Sequence, residues 1–338
     1  MVIALTVYTF SFGYFIEHSN SKTILHIISI VGLTIVLIVF KYLGFLFNTI
    51  NSISALFTTF PKFEFEKILL PLGLSYIILK HISYLTDIKW GIVRAGNISE
   101  FILYSSFFTI YFAGPIERFE RFKNELIKVT DSRFNIEYLD EGFRRIVYGI
   151  FKKVVIADWI GYFITPVFES SENHSLILRS VALIGYSFQI YFDFSGYSDI
   201  AIGSSRLFGI KIMENFNNPY LKFNISQFWQ SWHISLSSWI KDYLFFPLSR
   251  VSYKKIWLLV LVPVIAMSLC GLWHGSSWHF VLWGAYHGTG IAIYQLYNIL
   301  KRKNKIIFSF TNKSWFNVVA VIITFAFVTI GWSFFRGN

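Results

Sequence analysis

Long apolar stretches recur along the chain, separated by short basic connections. Residues 23–47, "TILHIISIVGLTIVLIVFKYLGFLF", and 315–335, "WFNVVAVIITFAFVTIGWSFF", each supply the roughly 20 apolar residues that a helix needs to span hydrocarbon. Residues 256–272, "IWLLVLVPVIAMSLCGL", come slightly short of that length. A membrane β-barrel would alternate apolar and polar positions over roughly ten residues at a time. These runs are apolar all round, so the pattern predicts helices. About ten hydrophobic segments follow, centred near residues 9, 35, 77, 106, 155, 185, 238, 264, 286 and 325. The expected fold is an all-α polytopic membrane protein, one integral domain over residues 1–338.

Three stretches fit simple spans badly. Residues 117–145 carry many charges of both signs and are too polar to cross lipid; they read as amphipathic helix in water or at the interface. Residues 191–209 contain Asp193, Asp199 and Arg206, and residues 227–248 contain His233, Lys241 and Asp242. Polar side chains at membrane depth face a protein interior or a water-filled cavity. Non-helical backbone there must also be shielded from lipid. The pattern therefore predicts re-entrant pieces around a central tunnel or funnel, although the aromatics equally fit an interfacial belt.

Composition agrees with this reading. The 338 residues are 54% hydrophobic, 20% aromatic and only 14% charged, against about 25% charged in soluble domains. The net charge of +11 does not point to nucleic acid. Its lysines and arginines cluster between apolar runs, as in "KRKNK" (301–305) and "RRIVYGIFKK" (144–153), which fits positive-inside anchoring against anionic lipid. The single cysteine, Cys270, lies in an apolar run and excludes an internal disulfide. No short cleavable leader is evident, so the first segment reads as a retained helix.

The chemistry concentrates in residues 271–288, "GLWHGSSWHFVLWGAYHG", with His274, His279 and His287 among Trp273, Trp278 and Trp283. Gly271 and Gly275 flank His274 and allow a close backbone approach. A neutral imidazole accepts at one nitrogen and donates at the other, and its ordinary pKa of about 6.5 suits a general base. Structural packing is the competing reading for each membrane histidine. Metal binding is disfavoured: His279 and His287 are two helical turns apart, too far for one ion, and no HExxH or cysteine cluster occurs. The G-x-S-x-G elbow and the phosphate loop are also missing, which argues against serine hydrolase and ATP-driven chemistry. A secondary transporter would predict inverted repeats, and none is evident.

Six motifs in order then become recognisable: "LPLGLSYIILKHISYLTD", "FAGPIERFERF", "GFRRIVYGIFKKVVIAD", "YFDFSGYSDIAIGSSRLFGI", "NFNNPYLKFNISQFWQSWHISLSSWIKDYLFFPL" and "GLWHGSSWHFVLWGAYHG". From about residue 70 to 336 the chain resembles the membrane-bound O-acyltransferase family, in particular its bacterial alginate O-acetyltransferase-like branch. The resemblance implies that His274 is the catalytic histidine and that His233, at a position that is His or Asn in members, is its companion. Lying 41 residues apart, the two must meet by tertiary folding, lining a tunnel between a cytoplasmic thioester donor and an acceptor hydroxyl. Trp273, Trp278 and Trp232 are expected to line that tunnel and exclude water. His287 and Asp199 are further polar candidates, with a structural role favoured for both.

The resemblance further implies a bacterial inner-membrane, multi-pass enzyme without a bound cofactor or metal. The donor that the resemblance implies is acetyl-CoA. The acceptor is an exported or envelope polysaccharide, such as alginate or peptidoglycan, or a periplasmic or extracellular acyltransferase partner. D-alanyl transfer to teichoic acid is the nearest alternative, and a transporter or inactive scaffold is the alternative of another class. Members commonly continue beyond a "GW-FFR" element, where this sequence ends in "GWSFFRGN". The expectation is a chain without the C-terminal helices of longer members.

Overall fold

A computed structural model describes residues 1–55, 57, 69–130, 135–170, 174–252, 256–304, 311 and 313–337. The chain packs as two compact units, residues 1–133 and 134–338. Both are helical. Among the described residues the extended pairing is a single antiparallel bridge, Phe216 with Trp232.

The first unit holds α1 (Val2–His18), α2 (Lys22–Leu37), α3 (Leu43–Ser54), α4 (Leu74–Trp90), α5 (Ile98–Ser106) and α6 (Phe119–Thr130). A wider π-type turn at Ile38–Tyr42 joins α2 and α3 into one apolar rod, Lys22–Ser54. Its core is aromatic, with Phe101 lying 4.3 Å from Tyr84 and 5.8 Å from Phe119 between ring centres. Lys80 and His81 of the first motif find their partners on α1 and α5 inside that core. His81 bridges Thr9 Oγ1 at 2.9 Å and Ser105 Oγ at 2.8 Å. Lys80 donates to the carbonyls of Tyr104 and Ser105. Buried polar groups without such partners would be expensive. The segment centred near residue 106 is not a long helix: α5 has nine residues, and a 3-10 turn at Phe108–Ile110 follows it.

The second unit holds α7 (Ile136–Ile150), α8 (Asp158–Glu169), α9 (Leu176–Leu207), α10 (Ile225–Trp229), α11 (Ile234–Ile240), α12 (Phe246–Ser252), α13 (Ile256–His274), α14 (Trp278–Lys303) and α15 (Ser314–Arg336). The polar stretch 117–145 thus falls into α6 and α7. Residues 191–209 belong to α9, one helix of 32 residues. Residues 227–248 are broken into α10, α11 and α12, with a π-type turn at Lys241–Phe245. Among the described residues two helical stretches, Lys22–Ser54 and Ser314–Arg336, are long and apolar enough to cross a membrane.

Glycines set the closest helix pairs, as expected where apolar surroundings give no extra drive and packing decides. Helices α7 and α9 run antiparallel, with Gly142 against Gly203 and Gly149 against Gly196. A methyl group at Gly196 would lie 2.7 Å from the Gly149 carbonyl oxygen. That oxygen is backbone and cannot swing aside. Gly196→Ala is therefore expected to destabilise the fold by about 1–3 kcal/mol, the usual cost of overpacking. A thermal melt in detergent reads this directly, and an unchanged midpoint would remove the close approach from the account.

Candidate active site

The loop between α13 and α14 is tight because two glycines face one phenylalanine. A methyl group at Gly271 would meet the Phe280 carbonyl oxygen at 2.0 Å, and one at Gly275 would enter the Phe280 ring. The expected close approach around His274 is therefore present. His274 is the last residue of α13. Its ring centre lies 5.0 Å from Trp273, 5.3 Å from Trp283 and 5.4 Å from Phe335, all edge-on. Three helices thus enclose it: α13, α14 and α15.

His233 arrives from a different direction. Residues 215–217 run antiparallel to 231–234, with Asn217 N–H donating to the Ser231 carbonyl at 3.0 Å and Ile234 N–H to the Asn215 carbonyl at 2.9 Å. This pairing holds His233 in the left-handed region at φ 44°. Left-handed backbone is uncommon outside glycine and carries strain that surroundings must hold in place. The ring is fully buried, 4.7 Å from Phe194 and 6.4 Å from Trp273 between centres. The His233 and His274 ring centres are 6.4 Å apart. Residues 41 positions apart in sequence are thus neighbours in space.

Asn215 organises the turn. Its Oδ1 accepts from Ser235 Oγ at 2.7 Å and from Ser235 N–H at 3.2 Å, and it lies 3.3 Å from His233 Nδ1. Its Nδ2 donates to Ser198 Oγ of α9 at 3.3 Å. Sequence reasoning gave Asn215 no role, although it opens the "NFNNPY" motif. The available signal was an asparagine in a segment otherwise bound for an apolar interior.

The other expected residues divide. Trp273 is buried beside both histidines. Trp232 is buried too, but its ring packs on Phe216, Tyr220, Phe228 and Trp332 in an adjoining aromatic cluster. Trp278 is 55% exposed. It opens α14, and at i and i+5 along a helix it faces away from Trp283, which takes the place against His274. Trp278→Ala is accordingly expected to leave transfer within about threefold of wild type, since surface substitutions away from special features change little; a larger fall in an acyl-transfer assay would restore it to the site. His279 Nδ1 donates to the Phe334 carbonyl at 3.1 Å.

His287 is fully buried one helical face along, 5.1 Å from Trp283 and 5.2 Å from Trp229. Among the described residues neither of its ring nitrogens has a hydrogen-bond partner. Asp199 sits at the centre of an ion-pair network, accepting from Arg145 Nε and Lys152 Nζ at 2.6 Å each, while Arg145 also meets Glu214 at 2.5 Å. These residues line a polar cleft of about 220 Å³ that reaches Ser195, Ser198 and Asn215. A more open groove of about 440 Å³, lined by Arg144, Arg206 and Lys211, adjoins it through Arg145 and Glu214. Among the described residues no group of three or more His, Cys, Asp or Glu is placed to hold a metal ion.

The sequence pattern of the membrane-bound O-acyltransferase family matches residues 12–332. The chain is 34% identical over 306 residues to a probable alginate O-acetylase AlgI of Pseudomonas putida, covering 88% of this chain and 59% of that protein. It is 33% identical over 325 residues to a peptidoglycan O-acetyltransferase of Helicobacter pylori, covering 88% and 59%. A teichoic acid D-alanyltransferase of Bacillus subtilis is 29% identical over 274 residues, covering 79% and 69%. The chain thus spans under two thirds of the length of the O-acetylating relatives it matches.

Proposed function

Because the chain belongs to the membrane-bound O-acyltransferase family, we propose that it moves an acyl group, acetyl in the first instance, from a thioester to a hydroxyl of an envelope or exported polysaccharide. The observation that carries this reading is the His233–His274 pair, 6.4 Å apart between ring centres, with His233 buried and His274 half-buried. His274 takes the proton of the acceptor hydroxyl as its oxygen attacks the thioester carbonyl. The carbon–sulfur bond then breaks, and the departing thiolate recovers the proton from His274. Trp273, Trp283 and Phe335 crowd the reacting imidazole and exclude water, which limits loss of the thioester by hydrolysis.

Acetyl-CoA is the proposed donor. The polar cleft touching Asn215, with the basic groove beside it, suits the polar arm of a phosphorylated thioester. The proposal includes a multi-pass topology in a bacterial inner membrane, with the two histidines on a tunnel between donor and acceptor. Relatives named for alginate and for peptidoglycan support a glycan acceptor, reached directly or through a partner acyltransferase. D-alanyl transfer to teichoic acid is the second reading, favoured by the Bacillus subtilis relative.

Membranes containing the protein, given acetyl-labelled acetyl-CoA and a panel of envelope glycans, are expected to deposit label on glycan or on a co-expressed partner. Label that stays on acetyl-CoA, while D-alanyl carrier protein supports transfer, would move the assignment to the second reading. Failure with both donors would overturn the enzyme reading.

A further inference from the structure

The acyl-transfer reading leaves two jobs open for His233. It orients a hydrogen-bearing group at the centre by accepting its proton, or it donates a hydrogen bond to the carbonyl oxygen. A neutral imidazole does one or the other at a given nitrogen, and the choice is made by what the opposite nitrogen touches. Here the opposite nitrogen touches Asn215.

The identity of the Asn215 atom follows from its neighbours. A backbone N–H only donates, and Ser235 N–H points at this atom from 3.2 Å, so the atom is the amide oxygen. The Ser235 hydroxyl has one proton, and the 2.7 Å contact to the same oxygen uses it. Its 3.5 Å approach to His233 Nδ1 therefore supplies no proton to the ring. With an acceptor oxygen 3.3 Å away and no donor left over, Nδ1 must carry the hydrogen. Nε2 is then the lone-pair nitrogen. It is fully buried and has no partner among the described residues. A buried acceptor without a partner is rare and points to a function.

We propose that Asn215 is a positioning residue: it fixes His233 as the Nδ1–H tautomer, so that Nε2 receives an O–H or N–H of the reacting centre. Three further bonds make Asn215 suited to this. Its backbone carbonyl pins Ile234, its Oδ1 pins Ser235, and its Nδ2 ties the turn to Ser198 of α9. The same residue thus sets the unusual backbone of His233 and the polarity of its ring. When Nε2 accepts a hydrogen bond from the reacting centre, the Nδ1–H to Asn215 bond on the other side of the ring is polarised and strengthened. The neutral ring in this tautomer cannot serve as a carbonyl-oxygen donor through Nε2.

The inference takes its kinetic consequence, but not its structural content, from the acyl-transfer reading. The test is nitrogen-15 NMR of the histidine-labelled protein in lipid, with His233→Gln used to identify the His233 signals. A protonated Nδ1 and an unprotonated Nε2 are expected in the wild type. The reverse pattern overturns the proposal, whether or not the protein shows transfer. In turnover, Asn215→Ala is expected to lower kcat roughly 10- to 100-fold, the usual size for loss of an orienting partner. Asn215→Asp, which keeps an acceptor for Nδ1–H, is expected to recover most of that loss. An unchanged kcat in the alanine variant, or equal losses in both, overturns the positioning role. Wild-type protein that transfers nothing, yet shows the expected tautomer, removes the acyl-transfer reading and leaves the Asn215 assignment standing.

Discussion

His274→Ala is expected to lower acyl transfer by about a thousandfold, within the range general-base catalysis contributes. The histidine closes α13 and is held by rings from three helices, so no other described imidazole substitutes for it. His233, the nearest, is held by Asn215 with its ring centre 6.4 Å from that of His274, and His279 is bonded to the Phe334 carbonyl. Alanine also leaves a space among Trp273, Trp283 and Phe335, so a folding defect must be separated from a chemical one. His274→Gln fills that space without a basic nitrogen and is expected to lose activity equally while keeping the wild-type melting temperature. Transfer at wild-type rate in either variant would refute the assignment.

Asp199→Ala is expected to damage stability rather than chemistry. The carboxylate is buried and is the shared partner of Arg145 and Lys152. Removing it leaves Lys152 without this ion pair and Arg145 with Glu214 alone. Breaking a buried pair from one side costs about 3–5 kcal/mol. Both cations are about one third exposed, which lets water repay part of it, so about 2 kcal/mol is expected here. A loss of that size shifts the folded-to-unfolded ratio about thirtyfold. The partner test is the double variant Asp199→Leu with Lys152→Met. Replacing a buried ion pair by apolar residues is often neutral, so the double variant is expected to recover stability relative to Asp199→Leu alone. If Asp199→Ala melts like the wild type but loses transfer, the residue belongs to substrate binding.

Apolar helices were legible from composition and run length, because burial in lipid and burial in protein both demand continuous apolar sequence. The charged stretch 117–145 was legible as amphipathic helix for the converse reason. What the pattern could not show is where a helix is re-wound. The π-type turns at Ile38–Tyr42, Phe151–Ala157 and Lys241–Phe245 widen the helix, which breaks the 3.6-residue periodicity with no proline or glycine inside any of the three turns. In the site, His274 and His233 stood out because imidazoles are conspicuous in apolar sequence. Asn215 did not, since its importance lies in five hydrogen-bonded contacts made by tertiary folding. Trp278 and Trp283 looked alike in the sequence. The helical phase of α14 separates them, turning one outward and one onto His274.

The left-handed backbone of His233 has a consequence for anyone who replaces this residue. The position filters substitutions by geometry before chemistry is ever tested. Glycine and asparagine adopt φ near 44° readily. Valine and isoleucine, branched at Cβ, resist it. A saturation library at position 233 should therefore split into two populations. Gly and Asn variants would reach the membrane folded, reporting what the ring contributes. The β-branched variants would be scarce for reasons unrelated to catalysis. Inactivity at this site is informative only in the first group, so abundance must be measured alongside rate.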